Sequence, residues 1–467
     1  MARRKKDKQM HFENVELLAA GGEGHALAKI EGKVIFVKYG APGDIVDIRI
    51  VGRKKKFSLA KITEIHKESS LRKEPFCEHY GVCGGCKWQH IEYASQAELK
   101  DTWAQDCLQR IGKVEVAETL PIIGAKEQQF YRNKMEYTFS NKRWLYEDEQ
   151  LEDLPHTNAL GFHAPGRFDK VLAINKCWLQ DDMGNNIRNF VYEYCITNEH
   201  TFYDLREHTG LMRNLMLRNT KSGDWMVNVI FAKNEDEKIK NLLQAIQDKF
   251  DPAALNYCIN EKLNDSTFDQ EFIRFSGSFD IQEELCGLKF NISPKSFFQT
   301  NPVQAEKLYE VAMDFADIQP TDVVYDLYCG TGTITCVAAT KAKKAIGVEI
   351  VEEAIVAANE NAKLNDISNT EFLAGDMKDV FNPEFYAKHG KPDIIITDPP
   401  RSGMHPKVVE YLAQIAAPKI VYVSCNPATQ ARDLAMLDSV YKVTKSQAVD
   451  MFPQTHHAEN VVVLELR

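Results

Sequence analysis

The chain has no long apolar run. Nothing in its 467 residues approaches the roughly 18 consecutive apolar positions that a membrane span needs. Its start, Met1-Ala-Arg-Arg-Lys-Lys-Asp-Lys8, carries charge with no apolar segment behind it, so a secretory signal is not expected. Internal repeats and low-complexity segments are absent too. What remains is the expectation of a cytoplasmic globular protein without membrane contact, long enough for roughly two to three domains. In that compartment the eleven cysteines do not suggest a disulfide framework. Five of them, Cys107, Cys195, Cys258, Cys286 and Cys336, sit in apolar helical or strand-like stretches and read as core.

The net charge of −10 conceals an uneven distribution. Residues 1–75 hold 17 Lys and Arg against 10 Asp and Glu, and the remainder holds 40 against 57. A basic front on an acidic body points to a local anionic partner. Within that front, residues 1–9 read as a basic tail. Residues 10–67 read as five short strands with glycine turns at Gly21-Gly22-Glu23-Gly24, Glu31-Gly32 and Ala41-Pro42-Gly43-Asp44. That pattern predicts a small barrel of the oligonucleotide-binding type. Arg53-Lys54-Lys55-Lys56 falls in a loop between two of the strands, where it suits nucleic-acid phosphates. Residues 95–112 have helical periodicity, with Gly112 as the expected C-cap. Residues 130–290 mix strands and helices. From Asp322 onward strands alternate with helices, which implies a doubly wound, mostly parallel α/β sheet.

The turn after the first of those strands lacks something informative. Asp326-Leu-Tyr-Cys-Gly330-Thr-Gly332-Thr333 has two glycines that let the backbone turn sharply beside a ligand. A dinucleotide fingerprint requires a third, and Thr335 occupies its place. The reading therefore moves from a nicotinamide or flavin towards S-adenosylmethionine. Glu349 ends the next strand, where a carboxylate can hold two ribose hydroxyls, and Asp376 is placed for the adenine side.

Two further strands end in Asp398-Pro-Pro-Arg401 and Ser424-Cys425-Asn-Pro427. Amino-methylating enzymes of this fold follow Pro-Pro with an aromatic residue, and none is present here. Carbon 5 of a pyrimidine is not nucleophilic until a thiolate adds at carbon 6, and Cys425 can supply that thiolate. The carbon-5 proton must then be removed, and Glu459, in His456-His457-Ala458-Glu459 at the entry to the last strand, can be the base.

With these motifs the chain resembles the RNA uracil-5-methyltransferases, which form 5-methyluridine in 23S ribosomal RNA and transfer RNA. The likeness spans essentially the whole chain and is carried by Ser296-Phe-Phe-Gln299-Thr-Asn301, Asp326 to Gly332, Asp398-Pro-Pro-Arg401, Ser424 to Pro427 and His457-Ala-Glu459. It implies a class I S-adenosylmethionine-dependent methyltransferase domain (96–126 and 294–467), an N-terminal TRAM barrel (10–67) and a central α+β domain (70–95 and 127–293). It further implies Cys425 as nucleophile, Glu459 as base, and Gln299, Tyr328, Gly330, Gly332, Thr333, Glu349, Asp376 and Asp398 around the cofactor. RNA is the implied partner, ribosomal RNA ahead of transfer RNA, and a monomer is expected.

Cys77-x5-Cys83-Gly-Gly-Cys86 with the remote Cys177 forms a set of four thiols. Spacing alone suits either zinc or an iron–sulfur cluster, with His79 and His90 keeping a mixed zinc site open. The resemblance implies a 4Fe-4S cluster, in a structural or RNA-positioning role. Cys329, inside the glycine turn, reads as a packing residue. Trp88, Phe130, Tyr131 and Trp178 are candidates for stacking extruded bases, and Arg132 and Lys134 for RNA contacts.

Overall fold

The computed structural model describes residues 10–146 and 149–467; the predicted basic tail lies outside the described residues. The apolar strands of the C-terminal half assemble one eight-stranded sheet. Its order is Thr370–Ala374, Lys344–Glu349, Val323–Leu327, Ile394–Thr397, Lys419–Ser424, Glu459–Leu466, Tyr441–Val449 and Val116–Ile123. The first five strands are parallel. Glu459–Leu466 runs antiparallel to both its neighbours.

Parallel strands covered on both faces must be apolar on both. Along Lys419–Ser424, Val421 and Val423 join one core with Leu308 and Ala312 of helix Pro302–Ala316. Ile420 and Tyr422 join the other core with Leu412 and Leu434 on the opposite face. The chain order reverses between Val323–Leu327 and Ile394–Thr397, and crevices for ligands open outside such switch points at the carboxyl ends of the strands.

Two strands of this sheet were not foreseen, Val116–Ile123 and Tyr441–Val449. None of Val116–Ile123 is fully buried and Tyr441–Val449 alternates covered with exposed residues, which weakens the apolar signal in both, and Pro121 is tolerated because Val116–Ile123 lies at the edge. The predicted helix forms as Tyr93–Asp106 with a π-helical continuation, Cys107–Gly112. Gly112 is not its left-handed cap; Lys113 is, with φ 53°. Gly112 is small for another reason, since a Cβ there would stand 2.9 Å from the carbonyl oxygen of Ala431.

The N-terminal strands form a six-stranded sheet ordered His11–Glu16, Ile45–Arg53, Phe57–Lys67, Lys33–Lys38, Ala26–Ile30 and Ala19–Ala20. Leu17 donates to the carbonyl of Asp44 and Leu18 to that of Leu27, which brings the two edges together at the connecting residues. Arg53 to Lys56 are all exposed around the tip of its longest hairpin. A seven-stranded, mainly antiparallel sheet with helices Asp182–Thr197 and Asp236–Phe250 makes up the middle of the chain. Cys107, Cys195, Cys258, Cys329 and Cys336 are buried, whereas Cys286 is a half-buried turn residue with φ 51°.

Candidate active site

Strand Val323–Leu327 ends in Tyr328, whose φ of 68° is unusual for a bulky residue. The amides of Tyr328 and Cys329 both donate to the carbonyl of Val348, turning the chain back over the neighbouring strand. Gly330 and Gly332 continue the turn at φ 54° and 79°. A Cβ on Gly330 would enter open space, while one on Gly332 would collide with Ala358 and Phe372. The first glycine thus leaves room for a ligand and the second permits close packing of helix Thr333–Ala339.

Glu349 is fixed beside this turn. Its carboxylate accepts from the amides of Gly330 (3.2 Å), Ile350 (2.8 Å) and Val351 (3.0 Å). Thr333 shares a 2.8 Å hydrogen bond with the hydroxyl of Tyr309. Thr335, in place of the missing glycine, donates to Asp326 Oδ2 at 2.6 Å. Asp326 is fully buried, its Oδ1 has no partner among the described residues, and burial pushes its carboxyl up to about 7. Asp376 caps a short helix and pairs with Lys378, which holds its carboxyl below the usual range.

Across the switch point, strand Ile394–Thr397 delivers Asp398 and strand Lys419–Ser424 delivers Cys425. Ser424 pairs with Asn460 at the end of the ladder, so Cys425 and Glu459, the next residue on each side, leave it together. Burial pushes the Cys425 thiol up to about 11, reinforced by the negative charges of Glu459 and Asp398 and opposed by Arg401. Burial likewise raises Glu459 to about 8, with Asp398 adding to the effect, and Asp398 to about 7. Burial thus raises all three groups, and their negative charges add to the effect at Cys425 and Glu459, so Glu459 and Asp398 can exchange protons near neutral pH.

Sequence reading noted Arg401 only as a replacement for an aromatic residue. The structure gives it a partner, His457, whose Nδ1 accepts from Nη2 at 2.8 Å. Burial and then the Arg401 charge push His457 down to about 3, so its ring is neutral. The place of Arg401 directly after Asp-Pro-Pro was the available signal.

Cys77, Cys83, Cys86 and Cys177 line one cavity of about 620 Å³, with Arg132, Lys176, Trp178, Gln299, Arg401 and His457 on its walls. The residue expected as a cofactor contact, Gln299, is therefore shared with the cysteine site. Burial raises all four thiols; neighbouring thiols add to the effect at Cys77, Cys83 and Cys86, while Arg188 and Arg132 oppose it at Cys177. Tetrahedral zinc at about 2.3 Å from each sulfur would draw the sulfurs within about 4 Å of one another. Among the described residues, no three of these sulfurs lie within 4.8 Å of one another. Both ring nitrogens of His79 are engaged, by Tyr146 and the Asn175 amide, and those of His90 by Tyr80 and the Gly40 carbonyl. The ring nitrogens of both histidines are thus taken by other partners, and the four thiols are the donors that face the cavity.

Of the four aromatic candidates, Trp88 and Tyr131 are buried, bonded to the carbonyls of Gly24 and Pro453. Phe130 and Trp178 remain accessible, with ring centroids 5.8 Å apart and Lys176 over the Trp178 ring at 4.2 Å. Arg132 lines the cavity, while Lys134 is half-buried and burial lowers it to about 8.

Among the described residues no helix is long and apolar enough to cross a membrane. A family model described as tRNA (Uracil-5-)-methyltransferase matches residues 204–467, and a TRAM domain model matches residues 13–63. An uncharacterized RNA methyltransferase of Bacteroides thetaiotaomicron is 51% identical, covering 95% of this chain and 99% of its own. One from Porphyromonas gingivalis is 48% identical, with coverage of 96% and 99%. The crystal structure of the Pyrococcus abyssi tRNA (uracil-54, C5)-methyltransferase in complex with S-adenosyl-L-homocysteine superimposes with a TM-score of 0.74 at 26% identity. That superposition covers 96% of this chain and all of the other. The chain accordingly belongs to the tRNA (uracil-5-)-methyltransferase family and is an S-adenosylmethionine-dependent RNA (uracil-5-)-methyltransferase with an N-terminal TRAM domain.

Proposed function

We propose that this enzyme methylates carbon 5 of a uridine in 23S ribosomal RNA, with Cys425 as nucleophile and Glu459 as base. The observation that carries the reading is that Cys425 and Glu459 both adjoin the end pair Ser424–Asn460 of one antiparallel ladder, near enough for the charges of Glu459 and Asp398 to raise the thiol. S-adenosylmethionine, when bound against Gly330, Glu349 and Asp398, supplies an electrophilic methyl group. Cys425 gives up its proton to a neighbouring carboxylate and its sulfur forms a bond to carbon 6 of the uracil. The ring electrons move to an enolate, and carbon 5 takes the methyl group as S-adenosylhomocysteine departs. Glu459 then accepts the carbon-5 proton, the 5,6 double bond re-forms, and the carbon–sulfur bond breaks to return Cys425. Arg401 and the neutral His457 stand at the cavity wall, placed to meet polar atoms of the RNA.

Reaching carbons 5 and 6 requires the uridine out of its stack. Phe130 and Trp178 offer faces for bases, and the exposed Arg53-Lys-Lys-Lys56 hairpin offers cations for phosphates. Cys77, Cys83, Cys86 and Cys177 would hold a 4Fe-4S cluster that shapes the RNA side of the cavity and takes no part in methyl transfer. The protein acts as a monomer in the cytoplasm, with the domain limits given above. Transfer RNA is the second reading, favoured by the superposition on an enzyme that acts on uracil-54 of tRNA. Mass-spectrometric mapping of 5-methyluridine in both RNA classes from cells lacking the gene decides between them. Loss in ribosomal RNA alone supports the first, loss in transfer RNA alone the second, and no loss in either overturns both.

A further inference from the structure

Helix Tyr93–Asp106 presents Tyr93, Gln96 and Lys100 on one face, at spacings of three and four residues. All three reach a single short segment far along the chain. Lys100 donates to Asp450 Oδ1 at 2.6 Å and to the Phe452 carbonyl at 3.0 Å. Tyr93 donates to Asp450 Oδ2 at 3.0 Å. Gln96 donates to Gln454 Oε1 at 3.0 Å and accepts from the Gln454 amide at 2.9 Å. The segment is held from other sides as well. Gln304 donates to the Asp450 carbonyl, Asn301 to that of Met451 and Tyr131 to that of Pro453, each at 2.9 Å. The amides of Lys87 and Trp88 both donate to the Gln454 carbonyl.

Lys100 and Asp450 are both fully buried. Such a pair is weak evidence of stabilisation, because desolvation offsets most of the attraction, and apolar residues of the same size would serve stability at least as well. What it does fix is geometry. The clasped segment leads through His456 and His457, which touches Arg401, straight into Glu459. Glu459 also pairs with Val449, the residue directly before Asp450, whereas Cys425 follows strand Lys419–Ser424, which makes none of these contacts.

We propose that the Tyr93–Gln96–Lys100 face is a positioning device for Glu459: it sets where the carboxylate stands above the covalent adduct. These are positioning residues, and the proposal rests on the reading of Glu459 as the base. A misplacement of about 1 Å can cost about a hundredfold in rate. Loosening the clasp should therefore slow removal of the carbon-5 proton while leaving attack by Cys425 intact. A purely structural role would slow both alike.

The test uses Tyr93→Phe, Gln96→Ala and Lys100→Met in the full chain, with Glu459→Gln as reference. Each is given substrate RNA and S-adenosylmethionine carrying a labelled methyl group, and the labelled RNA–protein adduct is followed on denaturing gels. We expect kcat to fall about tenfold or more, KM for both substrates to stay within about twofold, and the labelled adduct to accumulate. Adduct formation and turnover falling in parallel, or turnover unchanged in Tyr93→Phe and Gln96→Ala, overturns the proposal. These two mild variants, with melting temperatures recorded, decide the matter if Lys100→Met does not fold. A reference Glu459→Gln that accumulates no adduct overturns the base assignment instead, so the two failures are distinguishable.

Discussion

Asn460 faces Ser424 across an antiparallel ladder, and that one pairing determines which residue confronts Cys425. Shifting the register by a single residue would turn Glu459 to the other face of the sheet. The last strand, Glu459–Leu466, is the one that reverses direction in an otherwise parallel run, so its first residue, not its last, arrives at the carboxyl ends where ligands gather.

Replacing Cys425 by Ala should abolish both turnover and any covalent RNA adduct. Replacing Glu459 by Gln should lower turnover by about a hundredfold to ten-thousandfold, the usual worth of a positioned base, and leave the adduct trapped. Denaturing gels of the two variants with one RNA check both outcomes. Turnover persisting in Cys425→Ala would falsify the covalent route.

The pH profile has a definite sign. Glu459 is raised to about 8 by burial and must be deprotonated to accept the carbon-5 proton, so kcat should rise with pH through about 8 and then level off. His457, held near 3, contributes no limb in that range. Stability should move the other way. Between the ordinary carboxylate range and about 8 the folded chain binds the proton that the unfolded chain has lost, so stability falls as pH rises across that window. Glu459→Gln should remove its share of this slope, gaining on the order of 3 kcal/mol at pH 8 relative to pH 5 in thermal melts, while Asp398 and Asp326, raised to about 7, keep theirs.

Thr335→Gly would restore the third glycine of a dinucleotide turn. It should not create nicotinamide binding. Asp326, already short of one partner at Oδ1, would lose its donor at Oδ2, and the helix would gain a glycine. A stability loss of about 2–3 kcal/mol and weaker S-adenosylmethionine binding are expected, by denaturant titration and calorimetry.

Protein purified without oxygen should contain about four irons with matching sulfide and no stoichiometric zinc. Cys177→Ser should lose the iron and its visible absorbance. Zinc at one equivalent in its place would reverse the assignment of the cysteine cavity.

The strands Val323–Leu327 and Ile394–Thr397 were legible because both faces are buried, which leaves an unbroken apolar run in the sequence. Five of the six strands of the N-terminal sheet were legible from their glycine turns; the two-residue Ala19–Ala20 is too short to leave a pattern. Val116–Ile123 was not legible, because at the sheet edge none of its residues is fully buried, nor was Tyr441–Val449, whose polar residues alternate with covered ones. Gly112 was misread as a cap because a glycine kept small for the Ala431 carbonyl looks the same in sequence as one kept for its φ. The missing glycine at 335 was read as an absence, and only the fold shows the hydroxyl that stands there bonded to Asp326.

By itself, the sequence determined the fold class, the two glycines of the cofactor turn, the four thiols and the acidic and sulfur groups at strand ends. Such features are local: a turn, a run or a spacing is written in neighbouring residues. Only the tertiary structure decided that Glu459 and Cys425 adjoin the same end of one ladder, that Arg401 meets His457, and that Tyr93, Gln96 and Lys100 hold Asp450 and Gln454. These relations depend on strand register and on contacts between residues up to 358 positions apart, which no local pattern encodes. The raised carboxyl groups belong to the same class, since a pKa answers to the water a group has lost and the charges it has met.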